Sequence, residues 1–194
     1  QLKKKGHEID FQIFQGLSHN EILKEIQNCD LVIDQIYSDT PMSGFVSEAA
    51  WFGKPSIVAG YGLEKLKNFV PEEMWPPSKI CHPDKLTDVI EELILDRKEL
   101  NNLANKAQLF VHEKYNSKEV ARRFLKLVNK DFPDEWWIDP IDISYKEGGG
   151  QSIEVLKENI FNLIESFGIK SLHLSHRPDL ESAFSKFSGF KKSD

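Results

Sequence analysis

Apolar and polar residues alternate along Ile9-Asp10-Phe11-Gln12-Ile13-Phe14, a period that predicts a half-buried strand. Gly16-Leu17 then marks a turn. Ser18, with Glu21 three residues on, makes a capping box, and Ile22, Leu23 and Ile26 supply one apolar stripe behind it. Asp30-Leu31-Val32-Ile33-Asp34 reads as a second short strand, apolar inside and acidic at both ends. Residues 35–43 contain Asp39, Thr40, Pro41 and Ser43 and read as a loop. An apolar helix is predicted over 44–52, halted at Gly53-Lys54-Pro55, and Ser56-Ile57-Val58-Ala59 follows as a buried strand. The crossovers have the length that parallel pairing needs, so the pattern predicts an α/β fold around a parallel sheet.

Beyond Gly62 the pattern predicts a short helix over 63–69 and a stretch broken by Pro71, Pro76 and Pro77. Ile80-Cys81 is the candidate last strand. Helical stripes follow: Leu86, Val89, Ile90, Leu93 and Ile94; then Leu100, Leu103, Ala107, Phe110 and Val111 behind Asp96 and Glu99. Val120, Phe124, Leu125 and Val128 follow behind Asn116 and Glu119. All three stripes are read as core. The composition changes near Asp131, where Phe132-Pro133-Asp134-Glu135-Trp136-Trp137-Ile138-Asp139-Pro140 is aromatic, acidic and punctuated by proline. Gly148-Gly149-Gly150 reads as a linker. Ser152 caps a final amphipathic helix with a broad apolar face from Val155 to Phe167, and 179–187 holds one more short helix. The predicted organisation is a domain over 1–130 and a mostly helical extension over 131–194. At the other end, Gln1 to Lys5 reads as the last turn of a helix stopped by Gly6, which predicts a piece of a longer protein.

The chain has 194 residues, 40% of them hydrophobic, enough to bury a core. A formal charge of −6 argues against a nucleic-acid surface, which needs clustered Lys and Arg. Lys3-Lys4-Lys5 and Lys191-Lys192 are read as solvated tails. Cys29 and Cys81 lack metal-ligand spacing and are read as two buried thiols in a reducing compartment. No run approaches the roughly 20 apolar residues of a membrane span. The histidines His7, His19, His82, His112, His173 and His176 are scattered and form no motif. Trp136-Trp137 has the chemistry to stack on a sugar, but such a pair is expected to dock the tail on the core.

Ligands of open parallel sheets bind beyond the carboxyl ends of the strands. Two loops qualify, Gln15-Gly16-Leu17-Ser18 and Asp34 to Gly44. In the second, Gly44 lets a ligand approach the backbone, and the amides from Ser43 through Phe45 to Val46 open a helix toward phosphate oxygens. Glu48 lies one turn inside. It either accepts hydrogen bonds from the vicinal hydroxyls of a ribose or faces water and offsets the helix dipole. The residues alone leave both readings open.

The order Asn28-Cys29-Asp30-Leu31-Val32-Ile33-Asp34, loop, then Gly44-Phe45-Val46-Ser47-Glu48-Ala49-Ala50-Trp51-Phe52-Gly53-Lys54-Pro55-Ser56-Ile57-Val58 resembles a known pattern. It is similar to the donor-binding C-terminal domain of retaining family 4 glycosyltransferases with the two-domain B-type fold. His82-Pro83-Asp84-Lys85-Leu86, Asp96 to Leu100 and Val111 to Asn116 resemble that domain's closing helices. The resemblance covers roughly residues 1–130 and is most specific over 28–59. It implies a Rossmann-like parallel sheet flanked by helices. By the resemblance, Glu48 holds the ribose of a nucleotide-diphospho-sugar, the Ser43–Val46 amides hold the diphosphate, and Gly16-Leu17 lies near the base. The family has another glutamate eight positions earlier, where this chain has Thr40 beside Asp39. No metal or other cofactor is implied. The acceptor domain and the cations that neutralise the diphosphate are expected upstream of Gln1. The chain alone is expected not to catalyse, and the whole protein is expected in the cytoplasm or at the periphery of a membrane. An alternative from another class is a degenerate module of this fold that acts by protein interaction through the apolar face of helix 152–167.

Overall fold

The computed structural model describes residues 1–137 and 151–191. They fall into two compact units, one within residues 1–137 and the other within residues 151–191.

The first unit is built on three parallel strands, β1 (Val32–Ile33), β2 (Ser56–Ala59) and β3 (Lys79–Cys81), in the order β1-β2-β3. Val32 lies opposite Ser56 and Ile33 opposite Ile57; on the other side Ile57, Val58 and Ala59 lie opposite Lys79, Ile80 and Cys81. Helix α1 (His19–Asn28) precedes β1, and α2 (Gly44–Trp51) crosses from β1 to β2. Helices α3 (Leu86–Leu95), α4 (Arg97–Lys114) and α5 (Ser117–Val128) follow β3. β2 is buried along its whole length, as a central parallel strand must be. Its alternation sorts the core. Val58 joins Met42, Val46, Ala50, Leu63, Ala107, Phe110 and Val111, whereas Ile57 and Ala59 join Cys81, Leu93, Leu100 and Leu103. A third cluster joins Ile26 of α1, Val32 of β1 and Ala49 of α2.

Local signals set the helix ends. The Glu21 carboxylate accepts the Ser18 backbone N–H at 2.8 Å and its hydroxyl at 2.6 Å. These two bonds hold Glu21 below the usual carboxylate range. Asp96 Oδ1 accepts the Glu99 N–H, opening α4, and Asn116 Oδ1 accepts the Glu119 N–H, opening α5, each at 2.9 Å. A 3-10 turn over Leu2–Lys5 ends at Gly6, whose φ of 89° is in the left-handed region.

Residues 9–14 form no strand. The segment is irregular, with Phe11 61% and Ile13 74% exposed. Alternation selects the face a strand would bury, but a strand exists only by pairing, and β1 pairs with β2 alone among the described residues. The α5 stripe is likewise not core. Phe124, Leu125 and Val128 are exposed, and no residue of α5 is buried. Cys81 is buried and Cys29 only half-buried, and burial raises both thiols. Trp136 lies under Lys126, its ring centroid 6.0 Å from Nζ, but Trp137 is mostly exposed, so the pair does not dock as one.

In the second unit, α6 (Ile153–Phe167) and α7 (Pro178–Ser188) pack against each other through a 3-10 turn at Ile169–Leu172. Ser152 Oγ caps α6 by accepting the Val155 N–H at 3.3 Å. Ile160 and Ile164 are its buried positions, while Val155, Leu163 and Phe167 remain exposed. Gly148-Gly149-Gly150 lies outside the described residues. No helix among the described residues is long and apolar enough to cross a membrane.

Candidate functional site

The carboxyl ends of the three strands are tied together by backbone hydrogen bonds. Ala59 donates to Gln35 O at 3.1 Å, Ser38 donates to Ala59 O at 2.8 Å, and Gly60 donates to Cys81 O at 3.0 Å. The loop after β1 is therefore laid on the end of β2. Gly60 makes that approach possible, because a Cβ there would stand 2.4 Å from Ser38 O. The Ser38 side chain is buried and organises the loop. Its hydroxyl contacts Gln35 Oε1 at 3.1 Å and Thr40 O at 2.8 Å, and its oxygen accepts the Thr40 N–H at 3.2 Å. Met42 then enters the core, and Ser43 caps α2.

At the start of α2, Ser43 Oγ accepts the Val46 N–H at 3.2 Å, and Ser43 O accepts the Ser47 N–H at 2.9 Å. Val46 is thus a capped core residue with its amide occupied. The Gly44 and Phe45 amides have no acceptor among the described residues, and Gly44 is exposed. These two N–H groups and the positive end of the helix dipole can receive an anion.

Glu48 lies on the following turn with its side chain 39% exposed. Its Oε1 stands 2.7 Å from His19 Nε2, at the first residue of α1. The loop carrying Gly16 and Leu17 and the helix carrying Glu48 are joined through this pair. The contact leaves Oε2 of Glu48 outside that bond. Gly16 holds a φ of 71° and is exposed, as is Leu17. Thr40 is half-buried, its hydroxyl 3.4 Å from Met42 O, and Asp39 is exposed. Thr40 is turned into its own loop, and Asp39 is the carboxylate the loop offers to solvent.

The sequence reading took His19 and His82 as scattered histidines and passed over Tyr37 and Tyr61. The structure makes Tyr37, Tyr61 and His82 one group. Tyr37 stacks on Tyr61 with ring centroids 6.0 Å apart and planes at 22°, and Tyr61 meets His82 edge-on at 4.8 Å. Each follows the carboxyl end of a different strand, which is the one signal in the sequence that could have singled them out. Among the described residues no group of three or more metal-ligating side chains occurs.

No protein-family model, curated protein or solved structure matches the chain significantly.

Proposed function

We propose that the chain is the donor-binding part of a retaining glycosyltransferase of the B-type fold, taking a nucleotide-diphospho-sugar. One observation carries the reading: α1, which follows the Gly16-Leu17 loop, and α2, which carries Glu48, meet at the 2.7 Å contact between His19 and Glu48. In this reading Glu48 Oε2 accepts a ribose hydroxyl, with His19 fixing the carboxylate. The Gly44 and Phe45 amides take the diphosphate. Gly16 and Leu17 line the base, and Asp39 replaces the acid that Thr40 lacks. Fixed amides at the helix end favour the charge that grows on the leaving diphosphate. The acceptor site and the neutralising cations belong to another domain of the same protein, so this chain binds donor without transferring sugar.

Calorimetric titration with UDP, GDP and ADP tests the reading. One of the three is expected to bind, and Glu48→Ala to weaken it about tenfold or more, the range of a lost charge-assisted hydrogen bond. No binding of any of the three, or binding indifferent to Glu48→Ala, refutes the site.

The second reading, a protein-interaction module, is favoured by a different observation: α5 leaves Phe124, Leu125, Leu127 and Val128 exposed on a strongly amphipathic helix. Replacing Phe124 and Val128 by Ser should then abolish complex formation in a pull-down and leave nucleotide binding intact.

A further inference from the structure

We propose that Tyr37 and Tyr61, backed by His82, form the platform on which the glycosyl ring of the donor stacks. The inference rests on the nucleotide reading above and extends it to the sugar.

The platform lies where a parallel sheet presents ligands. Tyr37 follows β1, Tyr61 follows β2, and His82 is the residue after β3. Its position is fixed by buried backbone. Tyr37 precedes Ser38, whose N–H is held by Ala59 O and whose carbonyl fills the space a Gly60 side chain would need. Tyr61 follows Gly60, whose own N–H is held by Cys81 O. The two tyrosines are therefore carried by main chain that cannot shift without breaking the strand-end bonds. His82 is held in turn, its Nδ1 accepting the Asp84 N–H at 3.3 Å. In the neutral ring that bond places the proton on Nε2.

The exposed surface suits a sugar. Tyr37 is 61% exposed and its ring stacks on that of Tyr61, so Tyr37 is the aromatic surface offered to solvent and Tyr61 supports it from behind. A pyranose has an apolar C–H face that packs on such rings and a rim of hydroxyls that needs polar neighbours. The exposed Gln35 and Asp39, on the same loop as Tyr37, supply them. The order of these groups along the chain supports the assignment. His19, two residues after Leu17, contacts Glu48. Along the chain, the loop leads back from Ser43, which caps the α2 amides, through Asp39 to Tyr37. A donor with its base at Gly16-Leu17 and its diphosphate on α2 brings its glycosyl ring to the tyrosines.

Paired titrations test this, comparing UDP with UDP-glucose, GDP with GDP-mannose and ADP with ADP-glucose. For the base that binds, the nucleotide-sugar is expected to bind about tenfold tighter than the bare diphosphate, a preference typical of one stacked ring. Tyr37→Ala should erase the preference and leave the diphosphate affinity unchanged, while Tyr61→Phe should keep it. An unchanged thermal midpoint shows that the variants fold. No preference in the parent chain, or a preference that survives Tyr37→Ala, overturns the platform. Equal weakening of both ligands by Tyr37→Ala also overturns it, by putting the base on the tyrosine. If no diphosphate binds, or Glu48→Ala has no effect, the nucleotide reading itself fails and the platform with it.

Discussion

At Gly60 the backbone tolerates nothing larger than hydrogen. A Cβ would meet Ser38 O at 2.4 Å and Leu63 Cδ1 at 2.7 Å, one of them main chain and both buried. Gly60→Ala should therefore push the loop after β1 off the strand end. The expected loss is about 1–3 kcal/mol, as for other overpacked sites, read as a lower urea midpoint. Ser38→Ala acts on the same contact from the other side. It removes a buried hydroxyl that ties Gln35 to Thr40 and leaves the Thr40 N–H without its acceptor. That variant should lose about 1–3 kcal/mol in the same assay. Neither effect could be read from the sequence. Gly60 looks like one more turn glycine, and Ser38 like a loop serine, until the loop is laid over β2.

Single elements are held by their ends and by what their faces meet. Asn116 joins α4 to α5: its Oδ1 caps α5, and its Nδ2 donates to His112 O at 2.7 Å. Asn116→Ala should cost about 1 kcal/mol or more, measured as a shift in thermal midpoint. One turn on, the Arg122 and Arg123 guanidiniums hold Glu119 at a pKa of about 2, against an ordinary value of 4.5. A carboxylate held low in the folded state stabilises that state above its unfolded pKa. The contribution fades as the pH falls from about 4.5 to about 2. Urea midpoints of the parent and Glu119→Gln should thus differ at neutral pH and converge over that window. The caps of α1, α4, α5 and α6 were all legible in the sequence, because each acts within one turn of its own residue. The fate of the α5 stripe was not. Spacing shows that Val120, Phe124 and Val128 share a side, but burial depends on what else is present to cover them.

The molecule as a whole divides into two units with separate buried residues, and every residue proposed for the nucleotide site lies in the first. A chain ending at Tyr145 should therefore bind the same nucleoside diphosphate with unchanged affinity, as measured by calorimetry. A tenfold loss would show that the second unit contributes to the site. The sequence by itself determined the order of helices and strands from Ser18 onward, the parallel α/β character, and the placing of Glu48 just inside α2. These follow from periodicity, capping and turn chemistry, which reach only a few residues along the chain. Tertiary structure decided the rest. It denied residues 9–14 a strand, because no neighbour pairs with them among the described residues. It brought His19 to Glu48, and it assembled Tyr37, Tyr61 and His82 into one surface. Each of these depends on which strand ends lie side by side, and alternation along a single segment carries no information about its neighbours.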